Sequence, residues 1–281
     1  MAFVRNVNQF LTLLLDSFRS FGQVTVWLVL FAYFVLMSLL LYAYYNFFTP
    51  VSYPIVKLAA MLVGGDAATR FFHYPGHFLY LPLLFGWSKT IVSVICDGIF
   101  LGSAALLLRR GYLGSNIKSS RGETSILSSW LQLIFAALTF NVLTLGLSFL
   151  LQTIFGPLLV GYARRSLAFE FVVLPLCYAL ILSVFFFVIP RIALYRESFG
   201  RALLRSWQIF LHRPFTCFFL AAIILFVPVL LATAANHPDI LIEKFRPELV
   251  FWILWLGLVA DLVANFLWMG TAVRFLVDDE I

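Results

Sequence analysis

Charged residues are scarce in this sequence. Only 11% of its 281 residues are charged, whereas a soluble domain usually has roughly 25%. Apolar residues make up 63% of the chain, and its mean hydropathy is +1.00. A soluble chain of this length cannot hide so much apolar surface and still keep a hydrated exterior. The composition therefore excludes a cytosolic enzyme and a disordered chain, and it indicates a membrane protein.

Cysteine is also rare, and the motifs of common enzymes are missing. The three cysteines, Cys96, Cys177 and Cys217, lie in apolar segments without CxxC spacing, which argues against a disulfide scaffold. The sequence contains no GxGxxG or Walker A motif, no HExxH and no GxSxG nucleophile elbow. We therefore expect a protein that is not an enzyme and that uses no cofactor.

Long apolar runs are what the sequence does have. A helix crosses the roughly 30 Å hydrocarbon core of a bilayer with about 20 apolar residues, and six segments meet this requirement. They are residues 24–48, 84–108, 126–155, 171–189, 215–234 and 249–276. The predicted fold is all-α, a single membrane domain over residues 1–281 with six transmembrane helices and additional amphipathic interfacial helices.

The distribution of Lys and Arg predicts the orientation in the membrane. Twelve of these cations fall on the side that holds both termini and the even-numbered loops: Arg5, Arg19, Arg109, Arg110, Lys118, Arg121, Arg191, Arg196, Arg201, Arg205, Arg213 and Arg274. Six fall on the opposite side: Lys57, Arg70, Arg164, Arg165, Lys244 and Arg246. This bias predicts a multi-pass membrane protein with both termini cytoplasmic. The cations are expected to contact anionic lipid headgroups, and no nucleic acid partner is expected.

Ionisable residues within the spans are costly and mark candidate functional sites. On the helical rise, Asp97 lies about 18 Å before Arg109 and Asp261 about 20 Å before Arg274, so both carboxylates are predicted near the midplane. Further polar residues are expected in the same layer or on the same helix faces: Asn141, Asn265 and Ser93. Lys89 is expected to snorkel to the external interface and not to neutralise Asp97.

Two interpretations of these polar residues stay open. In one, Asp97 and Asp261 are structural and are satisfied by Ser, Asn and backbone groups. In the other, they form a proton or cation relay, or a polar substrate site, at the centre of a transporter. Gly98 and Gly102 form a small-xxx-small pair, which predicts close packing of another helix beside Asp97.

The segment 191–213 predicts an amphipathic helix between the fourth and fifth spans, bracketed by Pro190 and Pro214. Its polar side carries Glu197, Arg201, Arg205, Gln208 and His212, and its apolar side carries Phe199, Leu203, Trp207 and Phe210. Glu197 precedes Arg201 by four residues, the favourable order for a helical ion pair. Two roles stay open: contact with lipid phosphates, or docking of a cytoplasmic or membrane protein partner, as in the coupling helix of ABC permeases, which the segment resembles.

Two other segments are predicted to be amphipathic or interfacial. Residues 1–21 show apolar residues at helical spacing and predict a helix on the cytoplasmic leaflet. Residues 53–63 predict a short interfacial helix in the first external loop. His73 and His77 in the same loop are four residues apart, but Pro75 and Gly76 interrupt any helix between them, so no metal site is predicted.

A family resemblance covers the last third of the chain. In VIPRIALYRESFGRALLRSWQIFLHRP (188–214) a span ends, a Glu follows, and an Ala-Leu-x-x-Ser helix leads to the next span; FLWMGTAVRFL (266–276) fits the end of this pattern. The region resembles the membrane domain ahead of some glycerophosphodiester phosphodiesterases, and families of uncharacterised six-helix bacterial membrane proteins. The resemblance implies an architecture and a location in a bacterial cytoplasmic (inner) membrane, and not the phosphodiesterase activity. We therefore expect a non-enzymatic membrane module or accessory subunit, and the alternative is a transporter or permease subunit.

Overall fold

A computed structural model describes residues 2–64, 70–113, 126–159 and 162–278. The chain divides into two compact units. The first unit comprises Met1–Phe31, Val94–Phe226 and Val263–Ile281, and the second comprises Ala32–Ser93 and Val227–Leu262. Two of the cations used to predict orientation, Lys118 and Arg121, lie outside the described residues.

The described residues fold into helices and contain no strand. The helices are α1 (Ala2–Arg19), α2 (Val24–Tyr45), α3 (Ser52–Val63), α4 (Gly76–Leu113), α5 (Trp130–Leu159), α6 (Ala163–Ala168), α7 (Leu174–Phe185), α8 (Val188–Tyr195), α9 (Phe199–His212), α10 (Pro214–Ala235), α11 (Pro238–Lys244) and α12 (Leu249–Asp278). A π-helical turn, Phe169–Val173, joins α6 to α7.

Within the described ranges, six helical segments are long and apolar enough to cross a membrane. They are Val24–Tyr45, Gly76–Leu113, Trp130–Leu159, Arg164–Tyr195, Pro214–Ala235 and Leu249–Asp278. These segments confirm the predicted all-α, polytopic membrane fold. Their ends extend beyond several of the predicted spans, most of all in α4, where the helix continues through Pro82 back to Gly76. Helix α11, between the fifth and sixth spans, was not predicted.

The first unit has an apolar core whose buried side chains come from three membrane segments and α1. Its buried members include Leu13, Leu182, Phe186, Phe187, Cys217, Leu220, Ile224, Ala272, Phe275 and Leu276. The indole of Trp268 on α12 donates a 2.9 Å hydrogen bond to the carbonyl of Phe186. Phe186 lies at the break between α7 and α8, where the chain leaves regular helical geometry. An aromatic side chain therefore satisfies a backbone group that the break exposes.

The second unit is held together by aromatic contacts. Phe34 packs edge to face with Trp255, and the ring centroids of Tyr45 and Phe251 lie 4.5 Å apart. The hydroxyl of Tyr44 hydrogen-bonds Ser88 on α4. These contacts connect α2, α4 and α12 within the unit, and they fix the rotation of α4 around its own axis.

The segment 191–213 differs from the single helix predicted for it. Helix α8 ends at Tyr195, α9 begins at Phe199, and the residues between them are not helical. Arg196 adopts the left-handed conformation (φ 55°) and its N–H bonds the carbonyl of Ile192, which closes α8. Ser198 is extended at the N-cap position of α9. The hydrophobic periodicity alone did not show this interruption.

Candidate functional site

Lys89 and Asp261 form an ion pair within the second unit. The Lys89 Nζ lies 2.6 Å from Oδ2 of Asp261, and the two side chains are 37% and 28% exposed. Lys89 therefore has a carboxylate partner that was not predicted, and its position at the external interface stays a prediction. Its depth was measured from Arg109, but α4 has 38 residues. Counted from the helix starts, Lys89 lies about 13 and Asp261 about 12 residues along, so the two are at matching height.

The other predicted intramembrane polar residues lie elsewhere or bond within their own helices. Asp97 and Asn265 are half-buried in the first unit, whereas Asp261 belongs to the second. Asn141 donates a 2.9 Å hydrogen bond from its amide to the carbonyl four residues earlier. Ser93 is buried and donates to the carbonyl three residues earlier, at 2.9 Å. Such local bonds are the usual way for polar side chains to lie in an apolar helix.

The two glycines predicted to mark close packing lie on α4 in the first unit. A Cβ at Gly98 would collide with the Cβ of Leu133 on α5, and Gly102 is buried one turn later. Beside them, the indole of Trp130 donates a 3.2 Å hydrogen bond to the carbonyl of Ile95. At Gly98, α4 and α5 therefore approach so closely that only glycine fits.

Helix α9 is fixed to the bundle through small and polar residues. Ala202 and Ser206 are fully buried. The Ser206 hydroxyl donates to the carbonyl of Val184 and accepts the N–H of Phe187, so it satisfies two backbone groups at the break between α7 and α8. At the start of α9, the N–H of Phe199 donates to the side-chain oxygen of Gln132 on α5, at 2.8 Å. The position of α9 is thus set by hydrogen bonds at two of its turns.

Glu197 binds two arginines, but not the one predicted. Its carboxylate accepts a bidentate pair of bonds from Arg191, at 3.0 and 2.9 Å, and a further bond from Arg205. The predicted helical pair with Arg201 is absent from the described ion pairs, because Glu197 precedes the first turn of α9. Glu197 is only 9% exposed. The carboxylate therefore joins the end of α8 to the second turn of α9.

Charge and burial compete at Glu197. Burial is the largest single effect and raises the pKa of Glu197. The hydrogen bonds and positive charges of Arg191 and Arg205 together lower the pKa by more than burial raises it. The net pKa lies below the ordinary value of a glutamate. Glu197 is therefore ionised at neutral pH, and it forms a carboxylate–guanidinium cluster with Arg191 and Arg205.

Helix α9 has three faces. One packs on the bundle through Ala202 and Ser206. A second is apolar and exposed, with Leu204 and Leu211 64% and 58% exposed and Trp207 beside them. The third is polar and exposed, and it carries Arg201, Arg205, Gln208 and His212. In a soluble protein, an exposed apolar face would lie in water. An interfacial helix places its apolar face in lipid and its cationic face at the headgroups.

A cavity of about 450 Å³ opens beside α9 in the first unit. It is lined by Arg191, Arg205, Gln208, Ile209, His212, Arg213 and Phe275. The guanidinium of Arg213 lies over the ring of Phe275, 5.0 Å from its centroid. The ring nitrogen Nδ1 of His212 bonds the carbonyl of Gln208 at 2.8 Å. The lining therefore combines basic side chains with an aromatic ring that contacts one of them.

Sequence reasoning missed the residues that make these groups specific. Lys89 was not predicted as the partner of Asp261, because its span was predicted to begin at residue 84 and the helix begins at Gly76. Arg191 and Arg213 were seen only as the ends of an amphipathic segment. Nothing in the sequence pattern indicates that Arg191 folds back on Glu197, because this contact requires the turn at Arg196.

Two ionic groups have been described: the Lys89–Asp261 pair in the second unit, and Glu197 with its arginines in the first. No protein family, curated protein or solved structure matches this chain. The resemblance of its last third to the membrane domain ahead of glycerophosphodiester phosphodiesterases stays a prediction.

Proposed function

We propose that this chain is a non-enzymatic integral membrane module whose helix α9 rests on the anionic leaflet of a bacterial cytoplasmic membrane. In this proposal both termini are cytoplasmic, the exposed apolar face of α9 enters the leaflet, and its cationic face meets lipid phosphates. The observation that carries the proposal is the adjacency of these two exposed faces on a helix whose third face is fixed to the bundle. This geometry is typical of interfacial helices.

Site-directed spin labelling tests this proposal on single turns of α9. Cys96, Cys177 and Cys217 are first replaced, and one label at a time is introduced at Leu204, Leu211 or Gln208 of the full chain in nanodiscs. We expect labels at 204 and 211 to be accessible to oxygen, which concentrates in lipid, and a label at 208 to be accessible to a water-soluble nickel complex. Equal access of the nickel complex to all three positions would contradict the proposal.

A second candidate function is transport, and the ion pair between Lys89 and Asp261 is the observation that favours it. Carboxylates paired with a cation inside spans occur in proton-coupled transporters. Reconstitution into liposomes with an internal pH dye tests this alternative under an imposed potential. Proton flux that disappears in Asp261→Asn would favour transport. Equal dye signals from wild type, Asp261→Asn and protein-free liposomes would favour the structural module.

A further inference from the structure

The cavity beside α9 holds more positive charge than its own carboxylate neutralises. Three guanidinium groups line it, and one carboxylate, Glu197, binds two of them, which leaves a net charge of +2 among the described residues. The neighbouring Arg274 on α12 is already paired with Asp16 and Asp278. Uncompensated cations that converge on a concave, partly buried surface favour an anion as their partner.

Arg213 is held by a ring and has no carboxylate partner in the described part of the chain. Its guanidinium carbon lies 5.0 Å from the centroid of the Phe275 ring, and within the described part of the chain it forms no ion pair. A cation–π contact attracts the guanidinium without supplying the charge of a carboxylate. The positive charge of Arg213 therefore stays available to an anion.

The second cation of the site is fixed in a comparable way. Glu197 accepts a bond from one terminal nitrogen of Arg205, and the remaining N–H groups of that guanidinium stay available to a ligand. Gln208 contributes a side-chain amide to the same lining. The Nδ1 of His212 bonds the carbonyl of Gln208, which leaves Nε2 for a hydrogen bond with a ligand. The site thus combines two arginine edges with neutral polar groups.

We propose that this cavity binds the phosphate group of a phosphate ester, with Arg205 and Arg213 as its principal ligands. A phosphomonoester carries close to two negative charges and three acceptor oxygens, which matches a net charge of +2 better than a carboxylate does. A volume of about 450 Å³ accommodates the phosphate together with part of the group esterified to it. The ester is either a lipid headgroup or a soluble molecule, and the lipid source rests on the proposed function.

Binding measurements with two probes distinguish these sources. The full chain is placed in nanodiscs of phosphatidylcholine and titrated with inorganic phosphate by calorimetry. In parallel, nanodiscs that contain phosphatidate are used, and the lipid retained by the protein is quantified by native mass spectrometry. The variants are Arg213→Gln and Arg213→Lys, and the matched control is Arg196→Gln, which removes an exposed cation of the same unit that does not line the cavity.

Loss of a charge-assisted pair of hydrogen bonds is expected to raise the Kd in Arg213→Gln roughly tenfold or more. Arg213→Lys keeps the charge but lacks the planar guanidinium, and its Kd is expected to lie between those of Arg213→Gln and wild type. Arg196→Gln is expected to bind like wild type. Inorganic phosphate binding indicates a soluble ester, and selective retention of phosphatidate indicates a lipid.

Two results would overturn the proposal: no binding of either probe by well-folded wild type, or equal weakening in Arg213→Gln and Arg196→Gln. The outcome is independent of the spin-label test of α9. Phosphate binding that depends on Arg213 would support the binding site even if α9 is fully accessible to water, a result that contradicts the interfacial function. Conversely, α9 in contact with lipid but no binding of either probe would support the interfacial function and contradict the binding site.

Discussion

The two units combine opposite charges in different proportions. In the second unit, Lys89 and Asp261 form an ion pair between two membrane segments. In the first unit, the carboxylate of Glu197 binds Arg191 and Arg205, and Arg213 adds a third cation to the same cavity. The pair balances one cation with one anion, whereas the cluster has more cations than carboxylates among the described residues, which favours an external anion. The proportion of charges thus separates a structural contact from a candidate binding site.

The largest effect is expected when the balanced pair is broken on one side. Asp261→Asn leaves the ammonium of Lys89 without its carboxylate in an apolar environment, and we expect a loss of about 3 kcal/mol in the free energy of unfolding. Lys89→Gln should cost a similar amount. Unfolding in mixed micelles with increasing denaturing detergent measures both.

The double variant Lys89→Gln with Asp261→Asn sharpens this test. Since it removes both charges, it should recover most of the stability that either single variant loses. If the two single effects simply add in the double variant, the ion pair is not the structural contact described above.

The next largest effect is expected at Glu197. Glu197→Gln leaves Arg191 and Arg205 without a carboxylate, and we expect a loss of about 2 kcal/mol in the free energy of unfolding. Because the pKa of folded Glu197 lies below its ordinary value, the carboxylate stabilises the fold above that ordinary pKa, and this contribution disappears as pH falls through the lowered pKa.

Thermal unfolding of wild type and Glu197→Gln over a pH series checks this sign. The difference in Tm should be constant near neutral pH and should shrink in acid. A difference that grows as the pH falls would contradict the cluster. Arg201→Gln, which removes a cation of α9 that does not bind Glu197, should show no such trend.

A smaller effect is expected at the contact that fixes α9. Ser206→Ala leaves the N–H of Phe187 and the carbonyl of Val184 without their hydroxyl partner, and we expect a loss of about 1.5 kcal/mol. Ser206→Thr keeps the hydroxyl but adds a methyl group at a fully buried position. Chemical denaturation of both variants separates the hydrogen bonds from the packing. An unchanged stability of Ser206→Ala would show that α9 is held by other contacts.

The smallest effect, with opposite sign, is expected at Arg196. A non-glycine residue in the left-handed region is strained, so Arg196→Gly should stabilise the chain by roughly 0.5–1 kcal/mol after the entropy of the unfolded glycine is counted. The comparison variant Arg196→Ala keeps the strain and should not stabilise. Destabilisation by Arg196→Gly would mean that the turn between α8 and α9 depends on the arginine side chain.

Much of the fold follows from the sequence, because hydrophobic length decides which helices can cross a membrane. The six spans and α9 were predicted from this principle and from helical periodicity. The interruption at Arg196 was not, since Arg-Glu-Ser contains neither Gly nor Pro and the break depends on tertiary contacts. The continuation of α4 to Gly76 was missed because Pro82 reads as a helix breaker, although proline is tolerated inside membrane helices.

The candidate site was predicted only in outline. Asp261 and Glu197 were both identified as important. Glu197 was expected to pair with Arg201 by spacing along one helix, and no charged partner was predicted for Asp261. The observed partners, Lys89 and Arg191, come from a different helix or from across a turn. Contacts between elements depend on helix rotation and register, which a single amphipathic pattern does not specify.

Phosphate-dependent stabilisation tests the contrast between the two units most directly. The Tm is measured for wild type, for the double variant Lys89→Gln with Asp261→Asn, and for Arg213→Gln, all in nanodiscs. In one series inorganic phosphate is added to phosphatidylcholine nanodiscs, and in a parallel series the nanodiscs also contain phosphatidate. We predict that wild type and the double variant show the same Tm increase in the series whose probe binds, and that Arg213→Gln shows a clearly smaller increase. An equal increase in Arg213→Gln, or its loss in the double variant alone, would contradict the assignment of binding to the arginine cluster and of structure to the balanced pair.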